Sequence, residues 1–238
     1  MRPMFKTLRD FFVFNQANRD GWVARQASLI PAGAHVLDVG AGSGPYKHWF
    51  SRCVYKAHDF EKLKPGQLRE KSSYIQCDYV SDICSIPVDD GSFDVILCTE
   101  VLEHVPEPIV AVKEMARILK RGGKLILTAP LGSGLHQEPF HFYGGYTPHW
   151  YRRFLTEAGF GEIRIDPNRG FFSHYGQESL RFAQMMAPWK GGGRIVWLPI
   201  WCVSILWGLM ASGMARVWDR MDKEKGYTIG YHVTAIRS

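Results

Sequence analysis

The chain has 238 residues, 46% of them hydrophobic, and carries 29 Lys and Arg against 23 Asp and Glu for a formal net charge of +6. That is enough apolar material for one α/β domain with a full core, and no repeat is visible. The basic excess forms no dense stripe interleaved with aromatics, which argues against nucleic acid. Five cysteines (Cys53, Cys77, Cys84, Cys98 and Cys202), odd in number and without C-x-x-C spacing, read as reduced thiols rather than a disulfide framework or metal cluster.

Met1 to Trp22 places Arg2, Lys6, Arg9 and Arg19 beside Phe5, Leu8, Phe11, Phe12 and Phe14. This pattern fits an amphipathic helix, lying either on a membrane surface or over a ligand site. It lacks the compact apolar run and small-residue cleavage site of a signal peptide, so the cytoplasmic side is expected. Residues 1–30 are therefore read as an N-terminal helical segment and 31–238 as the main domain.

Val36 to Val39 reads as a hydrophobic strand with Asp38 inside it, running into Gly40, Gly42 and Gly44. Alternating glycines let the chain turn sharply and let a ligand approach bare backbone, with their N–H groups expected to face it. The G-x-G-x-G spacing departs from the G-x-G-x-x-G of dinucleotide enzymes and argues against NAD or FAD. Asp38, at the carboxyl end of the strand, would attract a cationic cofactor. Val54 to Asp59 reads as a second strand ending in an acid suited to a pair of ribose hydroxyls. A short third strand is expected at Tyr74 to Asp78, followed by a loop containing Asp82 and Ile83. Ser92 to Val105 reads as a buried central strand emptying into a helix. Pro108 to Lys120 has the apolar spacing of an amphipathic helix stopped by Gly122 and Gly123, and Lys124 to Ala129 reads as a fifth strand.

These residues resemble the class I S-adenosylmethionine-dependent methyltransferases, in particular the small bacterial type-11-like group. The resemblance rests on the run from Leu37 to Gly44, on Ser92-Phe93-Asp94 and on Leu102-Glu103-His104, and spans roughly Gly33 to Phe160. It implies a Rossmann-like seven-stranded α/β sheet in the order 3-2-1-4-5-7-6, with the last strand antiparallel. It also implies S-adenosylmethionine as cofactor, its methionine part lined by Asp38, Gly40, Gly42 and Gly44, its ribose held by Asp59, and its adenine read by Asp82 and Ile83. The strand end at Cys98 and Thr99 would accept its ammonium. No metal is expected. Asp82 could instead cap a turn, and Gly44 could serve packing alone.

Leu131 to Trp150, rich in His and Tyr, sits where loops carry chemistry. Methyl transfer to oxygen is helped by a base within hydrogen-bond reach. His141 is the leading candidate, with His136 next and His149 and His174 behind; an ordering role for His141 is the rival reading. Glu100, Glu103 and His104 look like a helix start that either faces the pocket or packs. A helix over Tyr151 to Ala158, a strand over Gly161 to Ile165 and a final strand over Tyr227 to Ile236 complete the pattern.

Ile195 to Ala215 is 21 residues without a formal charge, flanked by Arg194 and Arg216. By length it could cross a bilayer, but both flanks must rejoin one sheet. The expectation is a helical insertion over 178–222, bent near Pro199 or Gly208, which either dips into the membrane interface or covers the substrate pocket. The combined reading is an O-methyltransferase acting on a glycan or lipid-linked sugar at the inner membrane surface, by resemblance to bacterial members linked to surface-glycan assembly. A lipid or quinone methyltransferase is the first alternative, and a non-catalytic, cofactor-binding scaffold the second.

Overall fold

The computed structural model describes residues 14–69, 73–187 and 197–238. Seven strands form one sheet in the order β3-β2-β1-β4-β5-β7-β6. They are β1 (His35–Val39), β2 (Val54–Asp59), β3 (Tyr79–Val80), β4 (Phe93–Thr99), β5 (Leu119–Pro130), β6 (Phe160–Pro167) and β7 (Gly230–Arg237). β1 pairs in parallel with β2 and β4, β4 in parallel with β5, and β7 antiparallel to β5. The expected order and the antiparallel last strand are both present. The helices are α1 (Phe14–Ser28), α2 (Pro108–Ile118), α3 (Pro148–Glu157), α4 (Phe171–Met185) and α5 (Leu198–Trp218).

The chain divides into two compact units, one of residues 20–166 with 230–238 and one of residues 1–19 with 167–229. In the first unit the strands alternate between two cores, as the period of two requires. Leu37, Val39, Ile96, Cys98, Leu125 and Leu127 pack with Val112 and Met115 of α2 and Leu155 of α3. Val36, Val95, Leu97 and Ile126 pack on the other face with Trp22, Val23 and Ala27 of α1. Burial on both faces explains the near-continuous apolar runs of β1 and β4. The part of the N-terminal segment at residues 1–13 lies outside the described residues.

Four local expectations are corrected. Tyr74 to Asp78 is not a strand: Ile75 N–H donates to the Gly42 carbonyl, and only Asp78 reaches β2, donating its N–H to the Ala57 carbonyl while its carboxylate takes the Ala57 N–H, so ladder pairing starts at His58 with Tyr79. After β4 the chain makes one 3-10 turn, Leu102–His104, rather than a helix. Helix α2 stops at Ile118 because Leu119 is already extended and pairs with Phe93; Gly122 and Gly123 lie within the irregular start of β5.

The fourth correction lies in the second unit. Helix α5 runs unbroken from Leu198 to Trp218, with Pro199 in its first turn and no break at Gly208. A Cβ at Gly208 would stand 2.9 Å from the Leu180 side chain and 3.2 Å from the Ser179 carbonyl of α4. Gly208 is thus a close-approach position between helices rather than a hinge. Pro in the first turn costs no helical hydrogen bond.

Candidate active site

The carboxyl ends of β1, β2 and β4 converge on the glycine turn. Gly40, Gly42 and Gly44 all adopt left-handed backbone, at φ 71°, 53° and 66°. A Cβ at Gly40 would lie 2.5 Å from the Val101 side chain, and one at Gly44 2.5 Å from that of Ile75, so these two glycines make room for the chain itself. At Gly42 the nearest atom would be Leu68 Cδ2 at 3.8 Å, which leaves that side open. The expectation that the glycine amides face a ligand is corrected. Gly40 N–H donates to the His58 carbonyl at 2.9 Å, Gly44 N–H to the Ala41 carbonyl at 2.8 Å and Gly42 N–H to Asp59 Oδ2 at 2.8 Å. The turn is held by β2 and by its own backbone.

Two buried carboxyls stand at this turn. Asp59 accepts from Gly42 N–H through one oxygen and from Glu61 N–H at 3.0 Å through the other. Burial raises its pKa, and those amides oppose the rise. Asp38 is buried and accepts a 2.6 Å bond from the Tyr55 hydroxyl. Burial pushes its carboxyl up to about 7, and no Lys or Arg among the described residues pairs with it. A buried acid that lacks a cation is the environment a cationic ligand would relieve.

Thr99 pairs with Thr128 of β5 but lies one residue past the last β1 pair, Val39 with Cys98. Its backbone edge toward β1 is therefore unpaired by that strand. Asp82 is exposed and accepts from Cys84 N–H at 2.8 Å, so the turn-capping role is real and occupies one carboxylate oxygen. Ile83 is buried beside it, and its amide donates to no described residue.

The loop from Leu131 to Thr147 ties itself to the chain after β4. Phe142 and Tyr143 N–H groups donate to the Glu103 carbonyl at 2.9 and 3.2 Å, and the Tyr146 hydroxyl donates to the Leu102 carbonyl at 2.7 Å. Gln67 and the 137–138 segment exchange two hydrogen bonds, and Phe140 packs edge-on against Phe60, the residue after Asp59. This brings three imidazoles together: His104 to His136 at 4.8 Å between ring centroids, His136 to His141 at 4.6 Å and His104 to His141 at 5.7 Å. His141 Nε2 lies 3.1 Å from Ser133 Oγ, and burial and the neighbouring His136 lower its pKa. His104 is pushed to about 4, by burial first. It is therefore neutral at pH 7 and able to accept a proton.

The structure brings together His136 and His141, the two leading base candidates, and leaves His149 and His174 without a ring contact to the cluster among the described residues. The sequence reading places His104 with Glu100 and Glu103 at a helix start that faces the pocket or packs, and not among the base candidates. The adjacent Glu103-His104 at the end of the central strand was the available signal, and only the folded loop shows that it meets two distant histidines. Ligand atoms of Glu103, His104 and His136 lie within 4.8 Å of one another and could hold a metal ion. A tetrahedral ion with bonds of about 2.0–2.1 Å needs its ligands roughly 3.4 Å apart, so this group is not a closed metal site.

Residues 37–127 match the profile of a family described as "Methyltransferase domain". Over these residues the chain is similar to methyltransferase domains, whose methyl donor is S-adenosylmethionine. The chain is 41% identical over 108 residues to a ubiquinone biosynthesis O-methyltransferase from Xanthomonas axonopodis pv. citri (strain 306), a match covering 43% of this chain and 45% of that protein. It thus spans about half the length of the curated relatives it matches. Among solved structures it resembles a putative sarcosine dimethylglycine methyltransferase from Galdieria sulphuraria, with TM-score 0.57, 16% identity and coverage of 92% and 85% of the two chains. It also resembles Haemonchus contortus phosphoethanolamine N-methyltransferase 2 in complex with S-adenosyl-L-methionine, with TM-score 0.53, 15% identity and coverage of 92% and 52%. At such identities these two likenesses show the fold alone.

The residues present fit that cofactor on three observations. Asp38 is a buried acid without a cation, Asp59 keeps lone pairs beyond its two backbone bonds, and the Cβ direction of Gly42 is open.

Proposed function

We propose that the chain is an S-adenosylmethionine-dependent O-methyltransferase acting on a membrane-resident acceptor from the cytoplasmic side. The carrying observation is the loop tied to the chain after β4, which sets His136 and His141 against His104 and packs Phe140 on Phe60, next to Asp59. When bound, S-adenosylmethionine supplies an electrophilic methyl group; the chain holds it and prepares the acceptor. Asp59 takes the ribose hydroxyls, Asp82 and the Ile83 amide the adenine, the Cys98–Thr99 backbone the ammonium, and Asp38 with the glycine turn the methionine part. His141, neutral at pH 7, removes the acceptor proton, with His136 as its alternate. The tied loop orients the acceptor and excludes water, and this positioning supplies much of the acceleration expected of an in-line displacement.

A phenolic hydroxyl of a quinol-type acceptor is the leading reading, supported by the name of the Xanthomonas relative. The acceptor-side loop lies beyond the family match at 37–127, so that support bears on the cofactor half first. A hydroxyl of a lipid-linked glycan is the second reading, favoured by the exposed polar side of the loop at His136 and Glu138. Incubating the protein with S-adenosylmethionine and each acceptor class, with mass detection of S-adenosylhomocysteine and methylated product, tests the proposal. Product with a quinol and none with glycans supports the first reading, and the reverse supports the second. Cofactor binding without turnover of any acceptor favours the scaffold alternative.

A further inference from the structure

Helices α4 and α5 lie within the unit of residues 167–229 and pack against each other through small residues. A Cβ on Gly176 would stand 2.9 Å from Ser212 Cα, and Gly208 abuts Ser179 and Leu180 in the same way. The Ser212 hydroxyl donates to the Gly176 carbonyl at 2.9 Å, and Trp201 Nε1 donates to the Ala183 carbonyl at 3.0 Å.

Helix α5 therefore spends its small and polar residues inward, with Ala211, Ser212 and Ala215 buried, and turns its large apolar ones outward. Val203 and Leu206 are 65% and 67% exposed, and Met210 and Val217 continue the stripe. A helix on a water-facing surface has the opposite polarity. Small residues inside and large apolar residues outside is the pattern of a helix whose outer medium is lipid. Only 22% of Leu198–Ala215 is buried, so it is no core helix.

We propose that the outward face of α5, with the adjoining edge of α4, docks the protein on the surface of an anionic bilayer. This rests on the membrane-surface part of the proposed function and not on its chemistry. The helix lies in the plane of the interface, because β6 and β7, which flank the insertion in the chain, belong to one sheet. Helix α4 cannot supply a second span, since it carries the Glu178–Arg181 ion pair.

Charge identifies the headgroup. Residues 178–225 contain Arg181, Lys190, Arg194, Arg216, Arg220, Lys223 and Lys225 against Glu178, Asp219, Asp222 and Glu224. Asp219 and Asp222 are already used as acceptors for the Ser173 and Phe171 amides at the start of α4. The surplus cations flanking the uncharged stretch Leu198–Ala215 suit anionic lipid. Trp197 at the helix start and Trp207 on the exposed face suit the boundary between headgroup and chain. A second copy of the chain would offer this face the same surplus of cations.

The test is flotation of the full chain with phosphatidylcholine vesicles, with and without phosphatidylglycerol, alongside calorimetric binding of S-adenosylmethionine. The wild type should float with the phosphatidylglycerol vesicles and less in high salt. Val203→Glu with Leu206→Glu should cut partitioning by on the order of a hundredfold, with cofactor binding unchanged. Arg220→Glu with Lys223→Glu, both exposed and beyond the helix, should cut it about tenfold. This second pair decides the matter if the first fails to fold. Unchanged flotation of a folded variant overturns the proposal. So does a wild type that ignores vesicles but forms a dimer broken by Val203→Glu, which would make the face a contact between copies. A protein that floats without binding S-adenosylmethionine would overturn the methyltransferase reading and leave the docking surface standing.

Discussion

The Phe140 carbonyl lies 2.5 Å from His104 Nδ1, while the Phe140 ring packs edge-on against Phe60 next to Asp59. One loop residue thus touches both the chain after the central strand and the neighbour of the proposed ribose acid. The carbonyl can only accept, so Nδ1 of His104 carries the proton and Nε2 is left as the free base. Phe140→Ala should therefore loosen the loop on both sides. The expected outcome is a turnover loss of on the order of tenfold or more, since small misplacement is costly in an in-line reaction. S-adenosylmethionine affinity should change far less, as measured by calorimetry.

His141→Ala should lower turnover by about a hundredfold or more, the range of general base catalysis, with cofactor affinity retained. The pKa of His141 is below 6.5, so wild-type turnover should already be on its plateau at pH 7 and fall on acidification. Loss of cofactor binding in this variant would contradict the base assignment.

Asp38→Asn tests the unpaired buried acid. The folded pKa of about 7 exceeds the unfolded value of 3.8, so whatever stability this carboxyl contributes is present below 3.8 and lost as pH rises through 7. The variant without cofactor should melt higher than wild type at pH 8, by roughly 2–4 °C for each kcal/mol recovered, and no higher at pH 4. Its affinity for S-adenosylmethionine should fall.

The histidines titrate the other way. His58 and His104 are both held near 4 by burial, below the ordinary 6.5. The unfolded chain binds protons first, so stability should drop as pH falls from about 6.5 to about 4. Denaturant midpoints across that window should show the drop, and His104→Gln should reduce it.

The glycine turn separates fold from function. Gly40→Ala meets both the left-handed φ and a 2.5 Å contact with Val101, and should cost at least about 2 kcal/mol of stability. Gly42→Ala meets the left-handed φ alone and should cost about 1–2 kcal/mol. Urea midpoints of the two variants compare them directly.

Much of this was legible in the sequence because it depends on local chemistry. The bounds of β2, the buried runs of β1 and β4 and the acids Asp38 and Asp59 follow from hydrophobic period and strand-end position. The misread segments are those decided by distant partners. Tyr74 to Asp78 looked extended, but the Asp78 carboxylate takes Lys56 and the Ala57 amide in place of a ladder. Gly208 looked like a break until Leu180 and Ser179 of the neighbouring helix were seen against it. His104 gained its importance only when the loop carried His136 and His141, more than 30 residues away in the chain, onto it.

The most direct measurement is calorimetric titration of the purified protein with S-adenosylmethionine, repeated with Asp59→Ala. The account predicts micromolar binding weakened roughly tenfold to a hundredfold, the value of hydrogen bonds to a charged group, in a variant that remains folded. Absence of binding by well-folded wild type, or equal affinity in Asp59→Ala, would contradict it.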